Sequence, residues 1–379
     1  MSPEARRPLL GARLIALPSA RGPISEALIE LLLSPPETGC EGLPEVCLDG
    51  VAALDDDDLQ LGLYLLNELH YTSIEGVDER WEWHPSLAAW RALLEQSFER
   101  ALCRLVSPAA ENGAGTGEAL QCLVAGDAGA GTGEALRRLV VGDSGAGTGE
   151  ALQCLVAEDS GPALSRWLEA NGTRQQMIEH VIHRSAYQLK EADPHSFAIP
   201  RLAGAPKAAL VEIQFDEYGE GQAARIHAEL FAATMKALGL DPTYGAYLDR
   251  LPGITLATVN LISLFGLHRR FRGALVGHLA VFEMTSSIPN RRYANALRRL
   301  GYGQDVTAFY DEHVTADAVH ESIAAWDLAD ALANQEPEMT ASILFGARAL
   351  LALEARWAEH LLASWKADRS SLRGAPLPV

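Results

Sequence analysis

Cysteine is scarce in this sequence and is not spaced for metal or disulfide chemistry. The five cysteines are Cys40, Cys47, Cys103, Cys122 and Cys154 among 379 residues, and none forms a CxxC pair. An odd, dispersed set predicts neither a disulfide framework nor a zinc knuckle. We therefore expect a reducing environment and a cytoplasmic location.

Long apolar runs and an excess of positive charge are also missing. No stretch approaches the roughly 20 uninterrupted apolar residues of a membrane span, and no signal-peptide core develops near the N-terminus. The formal net charge of -19 repels phosphate backbones and anionic lipid. The best basic patch, residues 268–272 followed by Arg291 and Arg292, is too short to outweigh that charge. We expect neither nucleic acid nor a membrane as a partner.

Several common site motifs are absent as well. The glycine-rich hinges fail the phosphate-loop and dinucleotide patterns, because glutamates (Glu118, Glu134 and Glu150) follow the last glycine of each hinge. Neither HExxH, typical of zinc peptidases, nor Glu-x-x-His, typical of ferritin-type bundles, occurs. A nucleotide site, a zinc peptidase and an ordinary ferritin are therefore disfavoured.

Helical periodicity dominates what is present, and the sequence predicts an all-α bundle. Residues 113–160 instead repeat a Gly-rich unit with a period of about 16 residues, which we interpret as an inserted surface segment. The predicted units are an N-terminal arm with helices (1–106), the repeat insertion (107–160), a helical core (161–368) and a tail (369–379). In the core, helices are predicted near 162–171, 173–191, 205–238, 253–266, 269–286, 290–300, 304–333 and 337–367.

One predicted helix carries a concentrated polar face. His313, Asp317 and His320 are spaced i, i+4 and i+7, so their side chains lie on one face and can converge on one point. Apolar neighbours indicate that this face turns inward, where an unpartnered polar triad is costly. The alternative is a solvated face with a simple His–Asp hydrogen bond.

Two other predicted helices bring similar donors into apolar surroundings. Glu217 and Glu220 precede His227 on one helix, and Glu283 lies in an apolar stretch of another. Carboxylate and imidazole donors without a nearby thiolate favour iron or manganese, although the ligand types also allow zinc. We expect His278, His180 and His183 to be structural.

The region from about Gly161 to Trp365 resembles the haem-oxygenase-like diiron oxidases and oxygenases, in particular the actinobacterial iron-containing redox enzymes. The His-x3-Asp-x2-His segment carries this resemblance, together with residues 189–195, 216–219 and 277–287. The resemblance implies a haem-oxygenase-like bundle that holds iron by side chains rather than as haem. The ligands that it implies are Glu217, His227, Glu283, His313, Asp317 and His320.

One ligand stays ambiguous at this stage. In a continuous helix Glu220 shares a face with His227, whereas Glu217 is rotated away by about 80°. Helix geometry therefore favours Glu220, and the resemblance favours Glu217. A local π-bulge at Gly219 and Gly221 would reorient Glu217, and we adopt Glu217.

The resemblance also implies an activity. It predicts a non-haem iron centre, with two ions expected, that activates dioxygen to oxidise a small amine, amino acid or fatty acid. An external electron donor and a homodimer are compatible with it. The alternatives are a metal-binding or iron-handling scaffold without turnover, and a metal-independent enzyme with a cysteine nucleophile. The last is disfavoured because Cys103, Cys122 and Cys154 lie outside the core helices.

Overall fold

The computed structural model describes residues 14–39, 42–45, 50–106 and 147–375. Its helices are α1 (Pro23–Leu32), α2 (Asp57–Glu68), α3 (Pro85–Val106), α4 (Thr148–Glu158), α5 (Leu164–Asn171), α6 (Arg174–Gln188), α7 (Asp193–Ser196), α8 (Gly204–Glu217), α9 (His227–Ala237), α10 (Gly253–Leu267), α11 (Arg272–Met284), α12 (Ser287–Arg299), α13 (Gln304–Ser322), α14 (Ala331–Gln335) and α15 (Thr340–Lys366). A π-helical segment, Ile323–Asp330, joins α13 to α14. The all-α prediction is confirmed.

Strands and tight 3-10 turns make up little of the described chain. Two short strands, β1 (Leu14–Ile15) and β2 (Ser73–Ile74), pair in parallel and tie the start of the described chain to the loop after α2. The 3-10 turns are Pro36–Thr38, Val51–Leu54, Glu79–Trp83, Ile199–Arg201, Gly219–Gly221, Ala223–Arg225, Leu248–Arg250, Arg269–Phe271 and Pro337–Met339. In the part of the chain that is described, no helix is both long enough and apolar enough to cross a bilayer.

Local sequence signals explain where several helices begin. The Asp56 carboxylate accepts hydrogen bonds from the first amides of α2, and Thr173 with Gln176 forms a capping box at the start of α6. Pro23 and Pro85 stand at the first positions of their helices, where the missing N–H costs nothing. These caps satisfy amides that a helix cannot pair internally.

The centre of the bundle is the crossing of α11 and α15. A Cβ atom on Gly277 would lie 1.9 Å from the Ile343 carbonyl oxygen, and one on Gly346 would lie 1.9 Å from the Ala274 oxygen. The two backbones therefore touch, and only glycine fits at either position. This contact fixes the spacing between α15 and α11, the helix that carries Glu283.

The N-terminal helices pack on the core through a buried polar network. Lys190, next to the end of α6, bonds the Glu68 carboxylate of α2 at 2.5 Å, and both side chains are fully buried. The Tyr244 hydroxyl donates to the other oxygen of Glu68 at 2.9 Å. Because a buried charge needs a partner, this pair fastens the N-terminal helices to the core.

The third copy of the repeat differs from the surface segment that we expected. Its helix α4 buries Ala151 and Leu152 completely, and the amide of Gly149 donates to Asp330 at 3.0 Å. Residues 107–146, which hold the first two copies, lie outside the described residues. At least the third copy is therefore part of the packed bundle.

Candidate metal centre

A tight turn brings Glu217 and His227 together. Glu217 ends α8, and Gly219, Glu220 and Gly221 then have positive φ angles of 69°, 54° and 78°. A Cβ on Gly219 would approach the backbone of Arg225 to 2.6 Å, so glycine is needed where the chain doubles back. The Nδ1 atom of His227, the first residue of α9, lies 2.8 Å from Glu217 Oε2.

This turn corrects the prediction of one helix over 205–238 and of a π-bulge within it. The shared face of Glu220 and His227 existed only on that continuous helix. In the structure Glu220 is exposed and pairs with Arg225 at 3.0 Å, whereas Glu217 is 6 % exposed. Glu217 is therefore the glutamate that lies beside His227.

Helix α13 presents its polar face inward, at the spacing expected from the sequence. His313, Asp317 and His320 are all buried. The Nδ1 atom of His313 donates to the Phe309 carbonyl one turn earlier, at 2.8 Å. Its Nε2 atom therefore points into the cluster, 3.5 Å from Glu191 Oε2.

His320 has the opposite ring orientation. Its Nε2 atom bonds the Asp216 carboxylate at 3.0 Å, which leaves Nδ1 facing inward. That Nδ1 atom lies 3.4 Å from Glu283 Oε2 of α11 and 3.8 Å from Glu217 Oε1. An outer carboxylate that fixes the ring and its tautomer is typical of metal-bound histidines.

Glu191 is a member of the cluster that sequence reasoning missed. It lies in the turn between α6 and α7, is 5 % exposed, and its Oε2 has no hydrogen-bond partner. Helical periodicity gives no signal for a residue in a turn. The available signal was its place in residues 189–195, one of the segments that carry the family resemblance.

Two groups of donors share one carboxylate. Within each group, the candidate ligand atoms lie within 4.8 Å of one another. The first group is Glu191, Glu217, His227 and His313, and the second is Glu217, Glu283 and His320. Asp317 belongs to neither group, but it lines a small cavity at the cluster together with members of both groups. Of the six residues named from the sequence, the structure gathers five into these groups and places the sixth beside them.

The donors fit a metal ion better than they fit one another. Five buried atoms aimed into the cluster have no hydrogen-bond partner: Glu191 Oε2, His227 Nδ1, His313 Nε2, Asp317 Oδ2 and His320 Nδ1. Unpartnered buried polar atoms cost free energy, and cations bound in the two groups would give these atoms partners. Their oxygen and nitrogen atoms suit iron or manganese.

Burial also shifts the charges of the cluster. It raises the pKa of Glu217 to about 7 and that of Asp317 to about 6, and it lowers the pKa of His227 to about 4. Burial alone would lower the pKa of His320, but the nearby Glu283 carboxylate and the hydrogen bond to Asp216 raise it to about 9. Without a cation, protons therefore neutralise part of this cluster.

The comparison with known families agrees with this geometry. Residues 178–355 match a family model described as iron-containing redox enzyme. This region of the chain belongs to that family. The matched span includes every donor described above, and the family is all-helical, as is this bundle. No curated protein matches the chain.

Three further buried histidines of the helical core lie outside both groups. His278 is buried, and its Nδ1 lies 3.3 Å from His195 Nε2. His183 bonds the hydroxyls of Thr255 and Ser371, and His180 packs against Tyr293. None of the three reaches the metal cluster, in line with the structural roles expected for them.

Proposed function

We propose that this chain binds two iron ions and uses them with dioxygen to oxidise a small organic substrate. The observation that supports it most is Glu217, which belongs to both donor groups and can bridge two ions. The ligands proposed for one ion are Glu191, Glu217, His227 and His313. Those proposed for the other are Glu217, Glu283, Asp317 and His320.

The orientation of the histidines supports binding at defined atoms. The Nδ1–H group of His313 donates a hydrogen bond to a backbone carbonyl, so the lone pair of Nε2 is free to bind a metal ion. The Nε2 atom of His320 hydrogen-bonds Asp216, so the lone pair of Nδ1 is free to bind a metal ion. The Asp216 carboxylate also makes the His320 ring more basic, which strengthens its bond to a cation.

The small size of the cavity at the cluster supports this proposal, because it keeps bulk solvent away from the metal site. The cavity at the cluster holds about 10 Å³ of free space, which is room for roughly one water molecule. Bound iron would supply the redox chemistry that activates dioxygen. The chain's own contribution is to position the ions, exclude solvent and keep anionic side chains close to them. Where the reaction needs electrons beyond those of the substrate, an external donor supplies them.

The experiment is anaerobic loading of the full chain with ferrous iron, followed by metal analysis, Mössbauer spectroscopy and exposure to oxygen. We expect two irons per chain, a spectrum of two coupled sites after oxidation, and oxygen consumption that an oxidisable substrate accelerates. His313→Ala removes a ligand of one ion only and should keep about one iron per chain, whereas His360→Ala, outside both donor groups, should keep two.

Each other outcome has a definite meaning. Stable iron uptake without oxygen consumption would contradict the oxidase proposal and favour an iron-handling scaffold. A single iron per chain would contradict the shared role of Glu217, and no uptake would contradict the metal centre itself.

A further inference from the structure

A cavity of about 330 Å³ lies beside the metal cluster. Helices α6, α11, α12 and α15 border it, together with residues 159–165 that lead into α5. This volume is within the range of sites that bind small organic ligands. The much smaller cavity at the metal cluster has room for roughly one water molecule only.

The two cavities share a wall. Phe282 and Ser286 line both of them, and Phe282 directly precedes Glu283 in α11. Asn290 donates to the Ser286 hydroxyl at 2.8 Å, and Ser286 lines the metal cavity together with Asp317. A molecule in the larger cavity is therefore one layer of side chains away from the metal donors.

The charged groups on the cavity wall favour a cationic ligand over an anionic one. Among the described residues, its charged groups are Asp159, Arg184 and Glu354. The guanidinium of Arg184 is already held by both oxygens of Glu354, at 2.8 and 2.5 Å, and stacks 3.9 Å from the Trp357 ring centre. Arg184 and Glu354 therefore offset each other's charge, and Asp159 leaves the wall with a net negative charge that disfavours an anion.

Aromatic rings on the cavity wall also favour a cationic ligand. Phe282 and Tyr293 line the cavity, and the faces of aromatic rings attract cations, as the Trp357 ring already does with Arg184. Glu354 is partly accessible, with 26 % of its side chain exposed, so it can meet a cationic group as well as Arg184. A fatty acid would bring a third carboxylate and a long chain into a cavity with several polar side chains.

We propose that this cavity is the substrate chamber and that it binds a small organic amine in its cationic form. The ammonium group lies at Glu354, and the apolar part lies against the wall formed by Phe282. The assignment of this ligand as the substrate rests on the proposed function, whereas its binding does not.

The test compares phenethylamine with phenylacetate, which share an aryl ring and differ in the sign of their charge. Calorimetry on the full-length protein, both metal-free and iron-loaded, measures each Kd. We expect phenethylamine to bind at least about tenfold more tightly, and Glu354→Gln to weaken its binding by about tenfold, which is 1.4 kcal/mol. Glu359→Gln removes an exposed acid of the same helix that does not line the cavity, and it should change neither Kd.

A second variant tests the place of binding. Ala355 lies half-buried on the cavity wall, so Ala355→Phe should fill the cavity and abolish amine binding with the thermal transition preserved. Equal affinity for the two probes, no binding of either, or unchanged binding in Ala355→Phe would overturn the inference. Amine binding without iron uptake would contradict the proposed function alone, and two bound irons without amine binding would contradict this inference alone.

Discussion

Replacement of Glu217 by glutamine should have opposite effects on metal binding and on the stability of the metal-free protein. Glutamine keeps the size of the side chain but removes the negative charge that two cations would share. We therefore expect Glu217→Gln to lose both irons. In the absence of metal, the same change removes a buried carboxyl group that is costly to ionise.

The size of the stability effect follows from the pKa of Glu217. Its pKa rises from 4.5 to about 7 on burial, and each unit corresponds to about 1.4 kcal/mol. A carboxyl whose folded pKa is raised favours the folded state below the unfolded pKa, and this contribution is lost as the pH rises toward the folded pKa. The free energy of unfolding of metal-free Glu217→Gln should therefore exceed that of the parent chain by about 3 kcal/mol at pH values above 7. Near pH 4.5 the two values should differ little.

Urea denaturation of the metal-free proteins at an acidic and a basic pH measures this difference, and iron analysis after anaerobic loading measures the metal content. Glu220→Gln is the matched control, because Glu220 is exposed and pairs with Arg225. It should keep both irons and show no such pH-dependent gain. Iron retained by Glu217→Gln, or a stability difference that does not change with pH, would refute the reasoning.

Three further outcomes are expected. Glu191→Ala and Glu283→Ala each remove a ligand of one ion only, so each variant should retain about one iron per chain by metal analysis; retention of two would remove that residue from the centre. Asp216→Asn weakens the hydrogen bond that orients a histidine, and iron affinity measured against a chelator should fall by about tenfold; unchanged affinity would show that this bond does not matter. Glu68→Ala leaves Lys190 buried without its counterion and should lower the free energy of unfolding by about 3–5 kcal/mol, with much of it restored when Lys190→Met is added; a loss below about 1 kcal/mol would contradict the pairing.

Periodicity predicted the helical core well because most of its helices bury one apolar face. The predictions for 253–266 and 337–367 agree closely with Gly253–Leu267 and Thr340–Lys366. The inward face of α13 was also visible, since three polar residues at helical spacing among apolar neighbours stand out. These features depend on local spacing alone, which a sequence displays directly.

The parts that sequence reasoning missed depend on the path of the chain between helices. The turn at residues 218–226 falls inside a predicted helix, because the sequence does not show whether Gly219 and Gly221 flank a bulge or adopt the positive φ angles of a turn. Glu191 was overlooked because it lies in a turn, where no periodic pattern marks an inward side chain. The burial of the third repeat required knowledge of its partner surface, which only the folded chain supplies.

The close approach of α11 and α15 at Gly277 and Gly346 has a consequence for any redesign of this protein. Helix α11 carries Glu283 and Phe282, and α15 carries Glu354 and Trp357. Since these two backbones touch with no room for a methyl group, the main chain sets the distance between the α11 and α15 walls of the proposed amine chamber. The distance between a bound ligand and the metal donors should therefore be changed by altering the size of the ligand or of single wall residues. The spacing of the two helices cannot be adjusted.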